Sequence, residues 1–113
     1  VGRAAGSRRS GLNDLRIAPG AEGWEPHCHS AEEELFVVLD GAGALLLGDD
    51  RVPVRAGHVI ARPPGTGVAH GFEAGPAGLR LLAYGQRDPR DTTFYPRTGE
   101  VRLRGLGVTL RAE

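Results

Sequence analysis

Apolar residues along this chain fall into short runs that are separated by glycine, proline or clusters of polar residues. Within the runs, apolar and polar residues alternate or valine and leucine dominate, a pattern typical of β-strands. No stretch keeps the apolar spacing of an amphipathic helix without a glycine or proline interrupting it. The predicted strands are 12–18, 33–40, a hairpin over 43–57, 58–63, 69–74, 78–84, 100–105 and 107–113.

This many short strands at close spacing predicts an all-β fold, an antiparallel sandwich or barrel. The composition agrees, because 18 glycines and 8 prolines among 113 residues supply many tight turns. The length allows one hydrophobic core but not two. We therefore predict a flexible leader over 1–11 and a single domain over 12–113.

Charge and cysteine content exclude several classes of function. Fourteen basic and fourteen acidic residues cancel, so neither nucleic acid nor an anionic membrane is an expected partner. All basic residues are arginine, which excludes a lysine nucleophile. Cys28 is the one cysteine, and no apolar run approaches the roughly 20 residues of a membrane span. We expect a soluble, cytoplasmic protein.

The candidate chemistry lies in the segment HCHSAEEELFVVLDG, which runs from His27 to Gly41. Side chains alternate along a strand, so His27 and His29 should point to one side and Cys28 to the other. Glu34 should share a face with apolar residues of the following strand. A carboxylate buried there needs a partner, and a metal ion held with two imidazoles is an effective one. The neighbouring Glu32 and Glu33 are expected to be solvated turn residues.

The same segment resembles the first conserved motif of the cupin superfamily. His27, His29, Glu34 and Gly41 stand in the order and spacing of that motif. Ala21 occupies a position where the family usually has glycine. The closing segment of the chain is also similar to that of small bacterial cupins.

A second segment, GHVIARPPGTGVAHGFEA, resembles the second cupin motif through Gly57, Pro63 and Gly65. Its histidine, His70, arrives two residues later than in the motif, and Ala74 stands where the family has asparagine. We interpret the difference as a longer turn, with His70 still opening its strand. His58, which follows the first glycine of the motif, is expected to be solvated.

The resemblance implies a small single-domain cupin with a jelly-roll β-barrel. It also implies one divalent transition metal held by three histidines and one glutamate, and the sequence does not choose among Zn, Fe, Mn, Ni and Cu. The alternative is a metal-free pocket lined by the same residues. The predicted metal ligands are His27, His29, Glu34 and His70.

Two classes of function follow from the resemblance: a metal-dependent enzyme for a small organic molecule, of dioxygenase, isomerase or cyclase type, or a non-catalytic ligand-binding or sensor module. Whether the protein is an enzyme stays open. Phe36, Phe72, Trp24 and Arg62 are weaker candidates for the wall of the small-molecule pocket. No catalytic residue is assigned, although Glu25, Glu32 and Tyr84 are the nearest candidates for an acid or base.

A homodimer is the expected assembly. Small cupins commonly pair, and a sheet with exposed edges needs its edges covered, charged or paired. The strands predicted over 100–105 and 107–113 alternate apolar residues with arginine, as expected of strands with one buried face.

Overall fold

A computed structural model describes residues 6–111 of the chain. Within this range the chain forms nine β-strands and one short 3-10 turn at Arg104–Leu106, with no α-helix, which confirms the all-β prediction. None of these elements is a helix long and apolar enough to cross a membrane. The strands are β1 (Ser10–Ile17), β2 (Cys28–His29), β3 (Glu34–Leu47), β4 (Asp50–Arg55), β5 (Val59–Arg62), β6 (His70–Gln86), β7 (Thr92–Tyr95), β8 (Glu100–Leu103) and β9 (Val108–Arg111).

The strands form two antiparallel sheets, as expected of a jelly roll. In the first sheet the order is β1-β6-β3-β4, and β5 pairs with the first half of β3. In the second sheet the order is β2-β7-β8-β9. A two-way pair of backbone hydrogen bonds between His27 and His70 connects the chain just before β2 to the start of β6. The start of the second sheet is thereby fixed to the first sheet.

The two longest strands each replace two predicted ones. β3 runs through Gly41 and β6 runs through the segment 75–77, where the predictions had breaks. Register shifts in the pairing of β3 with β6 occur on both sides of Gly41, so a bulge takes up the irregularity and the strand continues. Gly41 has φ +81°, and a Cβ there would lie 2.2 Å from the Gly78 carbonyl oxygen, which explains why glycine is required.

The predicted hairpin over 43–57 is present as β3 and β4. Leu47 pairs with Asp50, and Gly48 in the turn has φ +59°. Two strands were not predicted, β2 and β7, because β2 has only two residues and β7 follows a highly charged segment. β1 begins at Ser10, within the predicted leader, while residues 1–5 of that leader lie outside the described range.

The hydrophobic core lies on the inner face of the first sheet. In β3 burial alternates along the strand: Phe36 and Val38 are buried, while Leu35 and Leu39 are exposed. Glu34 begins the inward-facing row, so its carboxylate lies at the end of the core. The remaining buried members of the core cluster are Ile17, Leu45, Val54, Phe72, Ala74, Leu79, Leu81 and Ala83.

Candidate metal centre

Four side chains from three parts of the chain converge at the end of the core. One ligand atom from each of His27, His29, Glu34 and His70 lies within 4.8 Å of all the others. Glu34 Oε1 is 2.8 Å from His70 Nε2, 2.9 Å from His29 Nε2 and 3.8 Å from His27 Nε2. Ligands at about 2 Å from a common ion lie at most roughly 4 Å apart, so small side-chain movements would place these atoms around one ion.

The strand register explains why these residues meet. His29 lies in β2 at the edge of the second sheet, and Glu34 opens β3 in the first. His70 opens β6 and is buried, so the longer turn before it does not displace it from the interior. Its backbone pairs with that of His27. The cluster is therefore held by backbone hydrogen bonds between segments that are distant in sequence.

Two of the histidines have a defined tautomer. His27 Nδ1 lies 2.7 Å from the Glu25 carbonyl oxygen, and His29 Nδ1 lies 2.8 Å from Asp91 Oδ2. Both partners only accept hydrogen bonds, so each Nδ1 carries a proton and donates it. In the neutral imidazole, Nε2 then presents a lone pair to the cluster, which is the form that binds a metal.

The charges of the cluster are strongly coupled. Burial alone would lower the pKa of His29, but the adjacent carboxylates of Glu34 and Asp91 outweigh burial and raise it to about 9. Burial would raise the pKa of Glu34, but His29 and His70 hold it well below its usual range. Burial lowers the pKa of His27. The carboxylate is thus ionised, and cationic charge beside it is strongly favoured.

The residues fit a divalent transition metal. His29 Nε2 is buried and has no partner in acceptable hydrogen-bond geometry, even though Glu34 Oε1 is close to it. A buried polar atom without a partner is costly unless something else occupies its lone pair. Three imidazoles and one carboxylate are ligands suited to zinc, iron, manganese, nickel or copper, and they leave coordination positions for water or substrate.

Asp91 is a residue of the site that sequence reasoning missed. It lies just before β7, its relative exposure is 1 %, and its Oδ2 accepts hydrogen bonds from His29 Nδ1 and Thr93 Oγ1. Its Oδ1 accepts from the backbone N–H groups of Ala31 and Glu32 at 2.9 and 3.1 Å. No sequence pattern distinguishes Asp91 from the other charged residues of the polar segment 85–93. Only the pairing of β2 with β7 places it behind His29.

The expectation that Glu32 is solvated is wrong. Its side chain is 3 % exposed and forms a two-pronged ion pair with Arg104, in which Arg104 Nη2 donates to Glu32 Oε1 at 2.9 Å. The backbone N–H of Asp88 donates to its other oxygen at 2.9 Å. Because the partner lies 72 residues away, the local sequence gave no sign of the burial. Glu33, in contrast, is exposed as expected.

The cluster borders a cavity of about 440 Å³. Three of the four candidate ligands, His27, His29 and Glu34, lie in its wall. Tyr95 also lies there, with its ring 5.3 Å from that of His27. Other polar lining residues are Asn13, Glu25, Glu32, Gln86, Arg87, Thr93, Arg102 and Arg104. A volume of this size suits a small organic molecule.

The four weaker pocket candidates lie in different surroundings. Trp24 lines the cavity and is 41 % exposed. Phe36 and Phe72 are buried in the core, where their rings lie 5.0 Å apart, and Phe36 contacts His70 from behind the cluster. Arg62 is half-buried in β5 and donates to Thr66 Oγ1 at 3.2 Å, and it is not part of the cavity lining.

Of the three candidates for an acid or base, two line the cavity and one does not. Glu25 and Glu32 line the cavity, although the Glu32 carboxylate is ion-paired with Arg104. Tyr84 is 45 % exposed and is not among the lining residues. His58 is exposed in the turn before β5, and its Nδ1 accepts from the Arg55 backbone N–H.

Comparison with known proteins places the fold and the site in context. The family model described as Cupin domain matches residues 13–83. The chain is similar to a protein of Acidithiobacillus ferrooxidans whose name proposes a sugar phosphate isomerase, with 34 % identity over 96 % of this chain and 70 % of that one and a TM-score of 0.87.

Two further structures are similar. A cupin-superfamily sugar phosphate isomerase of Silicibacter pomeroyi is 28 % identical over 98 % of this chain and 73 % of that one, with a TM-score of 0.87. A polyketide cyclase of Streptomyces resistomycificus is 29 % identical over 76 % of this chain and 60 % of that one, with a TM-score of 0.65. Among curated proteins, none matches the chain.

Proposed function

The chain belongs to the cupin domain family, and from that premise we propose that it is a metal-dependent enzyme that isomerises a small organic molecule. The observation that carries the proposal is the cluster of three histidines and Glu34 at the border of a cavity lined mainly by polar side chains. The names of two similar proteins, both sugar phosphate isomerases by description, favour isomerisation over the dioxygenase and cyclase types.

The metal would be held by His27, His29, Glu34 and His70, and it would supply Lewis acidity for a substrate carbonyl or hydroxyl oxygen. Asp91 keeps His29 Nε2 directed at the cluster. The proton transfers of an isomerisation need an acid or base in the cavity wall, and Glu25 and Tyr95 lie there. Burial raises the pKa of Tyr95, which keeps its hydroxyl protonated at neutral pH.

Metal content is the first test. We expect about one divalent transition metal per chain in purified protein, and a sharp loss of occupancy in Glu34→Gln and in His29→Ala, because each removes one of four ligands. His58→Ala is the matched control and should retain the wild-type content, since His58 lies outside the cluster. Full occupancy in both ligand variants would refute the assignment.

Catalysis is tested separately. Hydroxy-carbonyl compounds incubated with metal-loaded protein in D₂O should exchange a carbon-bound proton for deuterium, as measured by proton NMR. The exchange should disappear in Glu34→Gln and persist in His58→Ala. Saturable ligand binding without exchange would instead support the non-catalytic ligand-binding cupin.

We also propose that the protein is a homodimer. Leu12, Tyr84 and Leu35 lie side by side in register on β1, β6 and β3, and each is exposed. Val59 on β5 pairs with Val37, two residues along β3 from Leu35, and so lies on the same face. A contiguous exposed apolar patch is typical of an interface, and a two-fold pairing of two copies would cover it.

A further inference from the structure

Three carboxylates and three arginines line the cavity, and the carboxylates are more closely paired than the arginines. Both carboxylate oxygens of Glu32 contact the Arg104 guanidinium. Glu34 belongs to the cluster of histidines. Glu25 lies 4.0 Å from Arg97, which is outside the set of lining residues and forms a shorter ion pair of 2.6 Å with Glu22. Two of the three carboxylates of the wall, Glu32 and Glu34, therefore have close cationic partners.

Two arginines of the same wall, Arg87 and Arg102, have no carboxylate within salt-bridge distance among residues 6–111. Arg87 donates only a long hydrogen bond of 3.4 Å to the Ser7 carbonyl oxygen. A divalent ion bound by the cluster would add further positive charge. The loaded cavity then carries an excess of positive charge, which attracts and retains anions.

The strand register places Arg102 on the same side as the cluster. His29 pairs with Thr93 on the neighbouring strand, and Thr93 pairs with Arg102 on the next. Residues directly opposite each other in a sheet point to the same face. Two strand spacings amount to roughly 10 Å between the backbones of His29 and Arg102, a distance that a small organic molecule can span.

Contacts of Tyr95 support this placement. Its ring lies 5.3 Å from that of His27. Tyr95 and Arg102 both line the cavity, so Arg102 shares a wall with a residue that contacts the cluster.

We infer that the cavity takes an organic anion, whose carboxylate or phosphate group is bound by Arg102 with additional positive charge from Arg87, while the rest of the molecule reaches the cluster. A guanidinium suits this role because its planar array of donors can bind two oxygens of such a group at once. That the other end of the bound molecule reacts at the cluster rests on the proposed function. The binding of the acidic group by Arg102 does not. It names the class of substrate: small organic acids or phosphate esters.

Inorganic phosphate and acetate are the probes, titrated calorimetrically at constant ionic strength into metal-free and zinc-loaded protein. The variants are Arg102→Gln and Arg87→Gln, which remove the charge and keep a polar side chain. Arg51→Gln is the matched control, because Arg51 forms an exposed ion pair with Glu73 and does not line the cavity. Thermal unfolding of each variant shows that it is folded.

We expect saturable binding of at least one anion to wild-type and Arg51→Gln protein. Affinity should fall about tenfold or more in Arg102→Gln, as expected for loss of a charge-assisted hydrogen bond, and less in Arg87→Gln. Tighter binding of phosphate would assign a phosphate ester, and tighter binding of acetate an organic acid. Equal affinity in wild-type and Arg102→Gln protein, or no saturable binding of either anion, would overturn the inference.

The design separates this inference from the proposed function. Binding of anion that depends on Arg102 in protein that takes up no metal would refute the metal centre and leave the anion site standing. Normal metal uptake, together with an anion affinity that is unchanged in Arg102→Gln, would refute the anion site alone. Phosphate bound only to the metal does not need that side chain.

Discussion

Replacing Asp91 with asparagine should weaken metal binding without unfolding the site. In the wild type, Asp91 Oδ1 accepts from two backbone N–H groups, and Oδ2 accepts from His29 Nδ1 at 2.8 Å. Asparagine keeps an oxygen that can accept from the backbone. It replaces Oδ2 with an NH₂ group, which cannot accept the proton of His29 Nδ1.

The variant therefore favours the other tautomer of His29, in which Nε2 carries the proton and cannot bind a metal. Loss of a carboxylate that orients a metal-bound histidine typically lowers affinity about 10- to 100-fold, or roughly 1.4 to 2.7 kcal/mol. Two hydrogen bonds to Oδ2 are lost, from His29 and Thr93, so the free energy of unfolding should also fall by about 2 kcal/mol.

Zinc affinity is measured by competition with a chromophoric chelator at neutral pH. The His29 tautomer is measured by nitrogen-15 NMR of metal-free protein above pH 9, where the neutral imidazole predominates. Asp88→Asn is the matched control in the same segment, since Asp88 pairs with the exposed Arg90 and does not touch the cluster. A purely structural role for Asp91 would lower stability without changing the tautomer. Zinc affinity within twofold of wild type in folded Asp91→Asn protein would refute the reasoning.

Three further predictions concern stability and assembly. Gly41→Ala places a Cβ 2.2 Å from a backbone oxygen and should lower the free energy of unfolding in urea by at least about 3 kcal/mol. Gly57 also has a positive φ but lies in open space, so Gly57→Ala should lower it by only about 1 kcal/mol. Similar losses in the two variants would contradict the steric argument. Arg104→Leu leaves the buried Glu32 carboxylate without its cation and should cost about 2 kcal/mol, and an unchanged urea midpoint would count against that pair. Tyr84→Glu should convert a dimer of about 24 kDa, twice the chain mass, to monomer in light scattering. If a truncation before residue 100 does so instead, the interface lies on the C-terminal strands.

The sequence predicted most of the fold because strand signals are local. Strand alternation placed Glu34 on one face with apolar residues, which are the buried Phe36 and Val38, and the Gly48 turn defined the hairpin of β3 and β4. The family resemblance singled out the four residues that the structure brings together. The unpredicted strand β7 has only four residues and follows charged ones, so its signal was weak.

The surroundings of the cluster depended on contacts between distant segments. Asp91 lies 62 residues from His29, and Arg104 lies 72 residues from Glu32, so neither pairing leaves a local pattern. Both contacts come from the second sheet, most of which follows the segment 13–83 that the family model matches.

By itself the sequence determined the strand periodicity, the turn of the β3–β4 hairpin, and the residue types able to bind a metal. These properties depend on a residue and its near neighbours. The tertiary structure decided that Glu32 is buried, that Asp91 orients His29, and that Arg102 faces the cavity. Those properties depend on which strands pair, because burial and electrostatic partners are set by side chains that only the folded chain brings within a few ångströms of each other.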